Sequence, residues 1–71
     1  MKKFKAIKMN GYRNSIQIRT LTDNFVTYAY QKEDDIYCDF NKKDGQLIYN
    51  YYSFNSENNT AVLFKTEKVN F

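Results

Sequence analysis

The spacing of its breaks is what most narrows the folds open to this chain. Polar clusters fall at Asn10-Gly11, Thr22-Asp23-Asn24, Lys32–Asp35, Asn41–Gly45 and Asn55–Asn59, about one every 10–14 residues, which is the rhythm of an all-β protein. The stretches between them are rich in Ile, Val, Thr, Tyr and Phe, the residues that suit a pleated, half-buried surface. Six strands are predicted, over about 2–9, 12–21, 25–31, 36–41, 46–54 and 60–68. Ile16 and Ile18 alternate with Gln17 and Arg19, Ile36, Cys38 and Phe40 with Tyr37 and Asp39, and Val62 and Phe64 with Leu63 and Lys65. A period of two means one face buried and one wet. Two segments also fit a helix. Residues 23–34 place Phe25, Tyr28, Ala29 and Lys32 at helical spacing behind Asp23 as an N-cap, and Ala61–Lys68 could form a short helix. Their β-branched and aromatic content favours strand.

The expected architecture is one domain over residues 1–71: an all-β antiparallel meander of five or six strands, a curled sheet or small barrel, with one short helix as the main departure. A chain of 71 residues buries only about 60% of its unfolded surface, and small chains of this kind lean on disulfides, metals or partner subunits. Cys38 is the sole cysteine and there is no histidine, so neither an internal disulfide nor an ordinary zinc site can form. No cofactor is expected. An aromatic core, a homodimer or both must supply the stability. The lone cysteine fits a reducing compartment. The basic start, Met1-Lys2-Lys3-Phe4-Lys5, is not followed by the apolar run of a secretory leader, and no segment reaches the ~20 apolar residues of a membrane span. The reading is a soluble, cytoplasmic chain with no membrane partner.

The two glycines sit in turn signals. Asn10-Gly11 suits a two-residue type I′ turn, and Asp44-Gly45 suits a longer loop closed by a glycine at positive φ. A two-residue turn at 10–11 fixes the register of the first hairpin. Lys8 then opposes Arg13, Ala6 opposes Ser15, Phe4 opposes Gln17, and Lys2 opposes Arg19. One face would carry Ile7, Met9, Tyr12, Asn14, Ile16 and Ile18, with Lys3 and Lys5 at its edge. The other, wet face would carry Lys2, Phe4, Ala6 and Lys8 against Arg13, Ser15, Gln17 and Arg19. Like-charged pairs across strands cost about 0.2–1 kcal/mol each, and an anionic partner, or acids elsewhere in the fold, would remove that cost.

Charge is distributed in the same sense. The net charge is +3, yet residues 1–22 hold six cations and no acid, whereas the remainder hold five lysines and eight acids. Such asymmetry points to an anionic partner. Aromatics make up 18% of the chain, with seven Tyr and six Phe. Phe25 or Val26, Phe40, Tyr49 and Phe64 are the expected core. Phe4, Tyr37 and Tyr52 fall on the wet side of the alternation, where exposed rings serve base stacking or protein interfaces.

Catalytic signatures are lacking. Cys38 has no histidine to activate it and reads as a buried, inert thiol. Residues 39–50 echo a calcium loop but place Lys43 at the fifth position and Asn50 where a bidentate Glu belongs. The chain therefore reads as a non-enzymatic binding protein, of the small inhibitor kind that a phage or bacterium uses against a host enzyme or defence complex. The abundance of Lys, Asn, Tyr, Phe and Ile, residues with AT-rich codons, motivates that source by association. The partner is expected to be a protein or nucleoprotein. Single-stranded nucleic acid is the alternative, and a structural subunit of an assembly a further one. The predicted binding residues are Lys2, Phe4, Lys8, Arg13, Arg19, Tyr37 and Tyr52.

Overall fold

The computed structural model describes residues 2–9 and 14–70. Six strands follow one another: β1 (Lys2–Lys8), β2 (Ser15–Arg19), β3 (Phe25–Glu33), β4 (Ile36–Lys43), β5 (Gln46–Asn55) and β6 (Thr60–Asn70). All neighbours pair antiparallel, and β6 returns to β1, so the meander closes into a barrel. The described residues contain no helix. Residues 25–33 and 60–70 are strands, which settles both ambiguous segments.

Turn chemistry explains where the strands stop. Lys43 opposes Gln46, so Asp44-Gly45 is a two-residue turn, shorter than the expected loop. Both residues have positive φ, 50° and 75°, as the type I′ hairpin requires. Asp35, Asn59, Asp23 and Asn14 also adopt positive φ, the conformation that Asn and Asp tolerate best after Gly.

The first hairpin departs from expectation. Lys8 opposes Ile16, Ile7 opposes Gln17, Ala6 opposes Ile18 and Lys5 opposes Arg19. The register is three residues wider than a two-residue turn at 10–11 allows. The turn itself, with Tyr12 and Arg13, lies outside the described residues. An odd shift turns β1 over relative to β2. Phe4 and Ala6 therefore join Ile16 and Ile18 inside, whereas Ile7 is 44% exposed. Apolar burial decides the outcome: the narrow turn would have left Phe4 in water while Ile16 and Ile18 were buried.

The interior is filled by Phe4, Ala6, Ile16, Ile18, Ala29, Tyr37, Tyr52, Phe54 and Ala61, with Leu63 packed against them. Large and small residues alternate around the ring. Ala61 lies between Phe4 and Phe54 in register, Ala6 faces Ile18, and Ala29 faces Ile16. This is how a narrow barrel is filled without a void. Phe4 meets Tyr52 edge-on at 5.9 Å between centroids, and Tyr37 meets Phe54 likewise at 5.4 Å, the geometry aromatic quadrupoles prefer.

This core is the opposite face of β4 and β6 from the one predicted. Phe25, Val26, Phe40 and Phe64 are 51%, 40%, 65% and 44% exposed, and Tyr49 is half-buried. Tyr37 and Asp39, not Ile36, Cys38 and Phe40, point inward. Asp39 is tolerated there because its carboxylate accepts hydrogen bonds from the Tyr52 hydroxyl (2.6 Å) and the Asn50 side-chain amide (2.9 Å), and Thr66 Oγ1 donates in turn to Asn50 Oδ1 (2.9 Å). A hydrogen-bonded polar network in a core costs far less than an orphaned group.

The barrel is closed only over part of its height. The β3–β4 ladder ends at Tyr30–Cys38 and the β1–β6 ladder at Lys2–Leu63, whereas β4, β5 and β6 stay paired as far as Lys43, Gln46 and Asn70. Phe64 is an extra residue in a bulge where β6 leaves the ring. The three-stranded extension lengthens the molecule to 37 × 25 × 19 Å.

Tyr52 couples this core to pH. Burial first, and then the bond to Asp39, hold its phenol well above the ordinary tyrosine range. The folded chain thus keeps this proton more tightly than the unfolded chain, whose tyrosines ionise near pH 10. The contribution to stability is complete below about pH 10 and is lost as pH rises towards the folded-state value. The urea midpoint is expected to fall between about pH 9 and 11.5, with a shallower fall in Tyr52→Phe. An equal slope in the two proteins would assign alkaline unfolding to other groups.

Candidate functional site

Among the described residues the members of the predicted basic face are not brought together. Lys2 and Lys8 lie at opposite ends of β1, about 20 Å apart at strand rise, and both lean over the ends of the core. Lys2 Nζ stands 5.8 Å from the Phe4 ring centre. Lys8 Nζ donates to the Tyr37 hydroxyl at 2.9 Å and lies 5.4 Å from that ring. Each caps an aromatic that would otherwise meet water, a cation–π use of the charge. Phe4, Tyr37 and Tyr52 are buried at 8%, 2% and 3% exposure, so none offers a ring to a partner. Arg13 lies outside the described residues. Of the predicted set, Arg19 alone is placed on an outward face among the described residues.

The same inversion of β1 assembles a different surface. Its outward positions are now Lys3, Lys5, Ile7 and Met9. Lys5 opposes Arg19, which opposes Phe25; Ile7 opposes Gln17, which opposes Tyr28; and Ser15 opposes Tyr30. Three adjacent strands thus present a cationic end, Lys3, Lys5 and Arg19 with Phe25 beside Arg19, running into an apolar and aromatic end of Ile7, Tyr28 and Tyr30. Ile7, Phe25, Tyr28 and Tyr30 are 44%, 51%, 42% and 53% exposed. Phe25 and Tyr28 hold each other, with ring centroids 4.9 Å apart. Beside Tyr28 and Tyr30 a hollow of about 260 Å³ is lined also by Met9 and Ser15.

From Lys3 to Tyr30 the outward strand positions carry no acid. Asp23, in the β2–β3 loop, bonds Arg19 Nε at 3.0 Å, and Arg19 also reaches the Gln17 side chain and the Asp23 carbonyl. Arg19 is thereby held in place. Lys3 and Lys5 have no acidic partner within 4 Å among the described residues. Cation and ring are fixed by strands rather than loops, a rigid presentation that lowers the entropy cost of binding.

Sequence reasoning missed Lys3, Lys5, Ile7, Phe25, Tyr28 and Tyr30. The signal was available in part: Phe4 and Ala6 are as apolar as Ile16 and Ile18, and only an even-numbered register sum brings all four to one face. Nothing in the strand alternation alone marks Phe25 as outward, because a bulge at Val26 intervenes.

Neither Cys38 nor Tyr51 is activated. Burial, followed by the charge of Asp39, pushes the half-buried Cys38 thiol up, opposite to the direction a nucleophilic thiolate needs. Tyr51, on the outer surface, is held up at about 12 by its bond to Glu67. Among the described residues no three acidic or cysteine side chains are placed to hold a metal ion. No helix among them is long and apolar enough to cross a membrane. No protein-family model, curated protein or solved structure matches the chain.

Proposed function

We propose that this chain is a non-catalytic docking protein that occupies an acidic surface of a larger protein or nucleoprotein, acting as a stoichiometric inhibitor of the kind phages and bacteria direct at host complexes. The observation that carries the reading is the outward strip of β1–β3, where two lysines with no acidic partner within 4 Å among the described residues adjoin the exposed Ile7, Phe25, Tyr28 and Tyr30. Charge of this sort steers encounter and sets specificity, and buried aromatics at the centre of an interface supply the larger share of binding energy. The strip lies on the convex outside of a barrel, so its complement is a concave surface. That shape favours a folded partner over a flexible strand.

Single-stranded nucleic acid is the second reading, motivated by the paired Phe25 and Tyr28 rings beside Lys5 and Arg19. Stacking on such rings is worth about 1–3 kcal/mol per base. The two readings differ in their salt response. Neutralising three phosphates gives a slope of about −2 in log K against log salt for a single strand. An oligonucleotide titrated at two salt concentrations should show that slope if nucleic acid is the target and no binding if it is not.

The decisive experiment uses the double variant Lys3→Glu/Lys5→Glu. Both side chains are exposed, so the barrel is expected to fold normally. Retention of the partner from host extract should fall at least tenfold, and Phe25→Ser/Tyr28→Ser should do the same. If both variants retain partner as the unmodified chain does, this strip is not the docking surface.

A further inference from the structure

Among the described residues the interior holds one carboxylate, that of Asp39, and the barrel opens beside it. Below Tyr30–Cys38 the facing edges of β3 and β4 are no longer paired. The cleft between them has a volume of about 350 Å³ and is lined by Val26 and Thr27 on one side, by Asp39, Phe40 and Asn41 on the other, and by Asn50 and Tyr52 at its floor. Asp39 is 94% buried by the complement of its 6% exposure. Two neutral donors, Tyr52 and Asn50, bond one oxygen each. A carboxylate offers about four acceptor positions, and no cation lies within 4 Å of this one among the described residues. A charge withdrawn from water is normally paired. Here the polar floor and the acid converge on an opening edged by Val26 and Thr27 and large enough for a ligand group.

We infer that the β3–β4 cleft is a recognition pocket for an organic cation, a guanidinium or primary alkylammonium group that ion-pairs with Asp39 beside Tyr52 and Asn50. The group's charge matches the carboxylate, its N–H donors match the acceptor positions left on Asp39, and its alkyl stem runs out past Val26 and Thr27. The cation comes either from a free small amine or from an Arg or Lys side chain of an extended segment, whose backbone would meet the unpaired edges of β3 and β4 on either side. This pocket is acidic, lies inside the cleft and shares no residue with the basic strip of β1–β3.

The test is an amide-detected NMR titration of the full chain with argininamide, with n-butanol as an uncharged probe of the same size as the stem. Argininamide should produce saturable shifts of the Asn50 side-chain amide and of the Val26, Thr27 and Phe40 backbone amides, and butanol should not. Asp39→Asn should weaken the binding at least tenfold. Should that variant lose the dispersed spectrum of a folded chain, Val26→Ser, at an exposed position of the cleft wall, should weaken it at least threefold. A pentapeptide Val-Thr-Arg-Thr-Val that binds more than tenfold tighter than argininamide assigns the cation to a paired strand, and equal affinity assigns it to a free amine. Equal shifts from butanol, shifts confined to the exposed acids Asp34, Asp35 and Glu57, or affinity unchanged in every folded variant would overturn the assignment.

Discussion

Phe54→Ala is expected to cost about 3–5 kcal/mol, the range for deleting a buried ring. A chain of this length commonly has about 4–10 kcal/mol to lose, so the variant should sit near the edge of unfolding at 25 °C. Phe54 is 6% exposed and stacks edge-on with Tyr37. Its neighbour in register on β6 is Ala61, which cannot reach into the space left behind. Thermal unfolding followed by circular dichroism should show a fall in midpoint of at least about 12 °C at about 4–8 °C per kcal/mol. A loss below about 1 kcal/mol would mean that the Phe54 ring is not a packed part of the core.

Ala61→Leu tests the same interior from the other direction. Ala61 is fully buried and flanked in register by two large rings, Phe4 on β1 and Phe54 on β5. Extra methylenes in a filled core typically cost about 1–3 kcal/mol and more where neighbours cannot move. The seam between β1 and β6 is only four residue pairs long, Lys2–Leu63 to Lys5–Thr60, reinforced by the Ala6 amide on the Asn59 carbonyl at 3.0 Å. The strain should therefore be released by parting β1 from β6. Hydrogen exchange should show early loss of protection in β1, while the long β4–β5 ladder, which runs from Ile36–Ser53 to Lys43–Gln46, keeps it. Uniform loss across all strands would show instead that the barrel opens only as a whole.

Strand positions were largely legible because β-branched and aromatic runs between Asn, Asp and Gly clusters report local backbone preference, which tertiary packing here reinforces. Facing was less legible. In β4 the alternation of Ile36, Cys38 and Phe40 looks like a core face, yet the register with Tyr52 and Asn50 turns Tyr37 and Asp39 inward. Hydropathy sends an aspartate outward; only the two donors waiting for it reverse that preference. In β1, Phe4 and Ala6 compete with Ile7 and Met9, and the turn signal at Asn10-Gly11 favoured the losing side. The candidate site inherits both effects. Lys3 and Lys5 were visible as cations, but their side of the sheet depends on the parity of a loop that a dipeptide motif does not fix. The exposed Phe25 and Phe40 were assigned to the core because large apolar residues are usually buried, and it is their exposure that makes them informative.

A ring made entirely of neighbouring hairpins also sets an order of assembly. Five of the six pairings join strands adjacent in sequence, and their loops are short. The sixth joins residues near position 5 to residues near position 60, and closing that long stretch costs about 3–4 kcal/mol in chain entropy. Contacts of such high sequence separation slow folding. The hairpins can therefore zip up in any order, while the final step, the one that defines the rate, belongs to the four-pair β1–β6 seam and to Phe4, Ala61 and Phe54, which lock it.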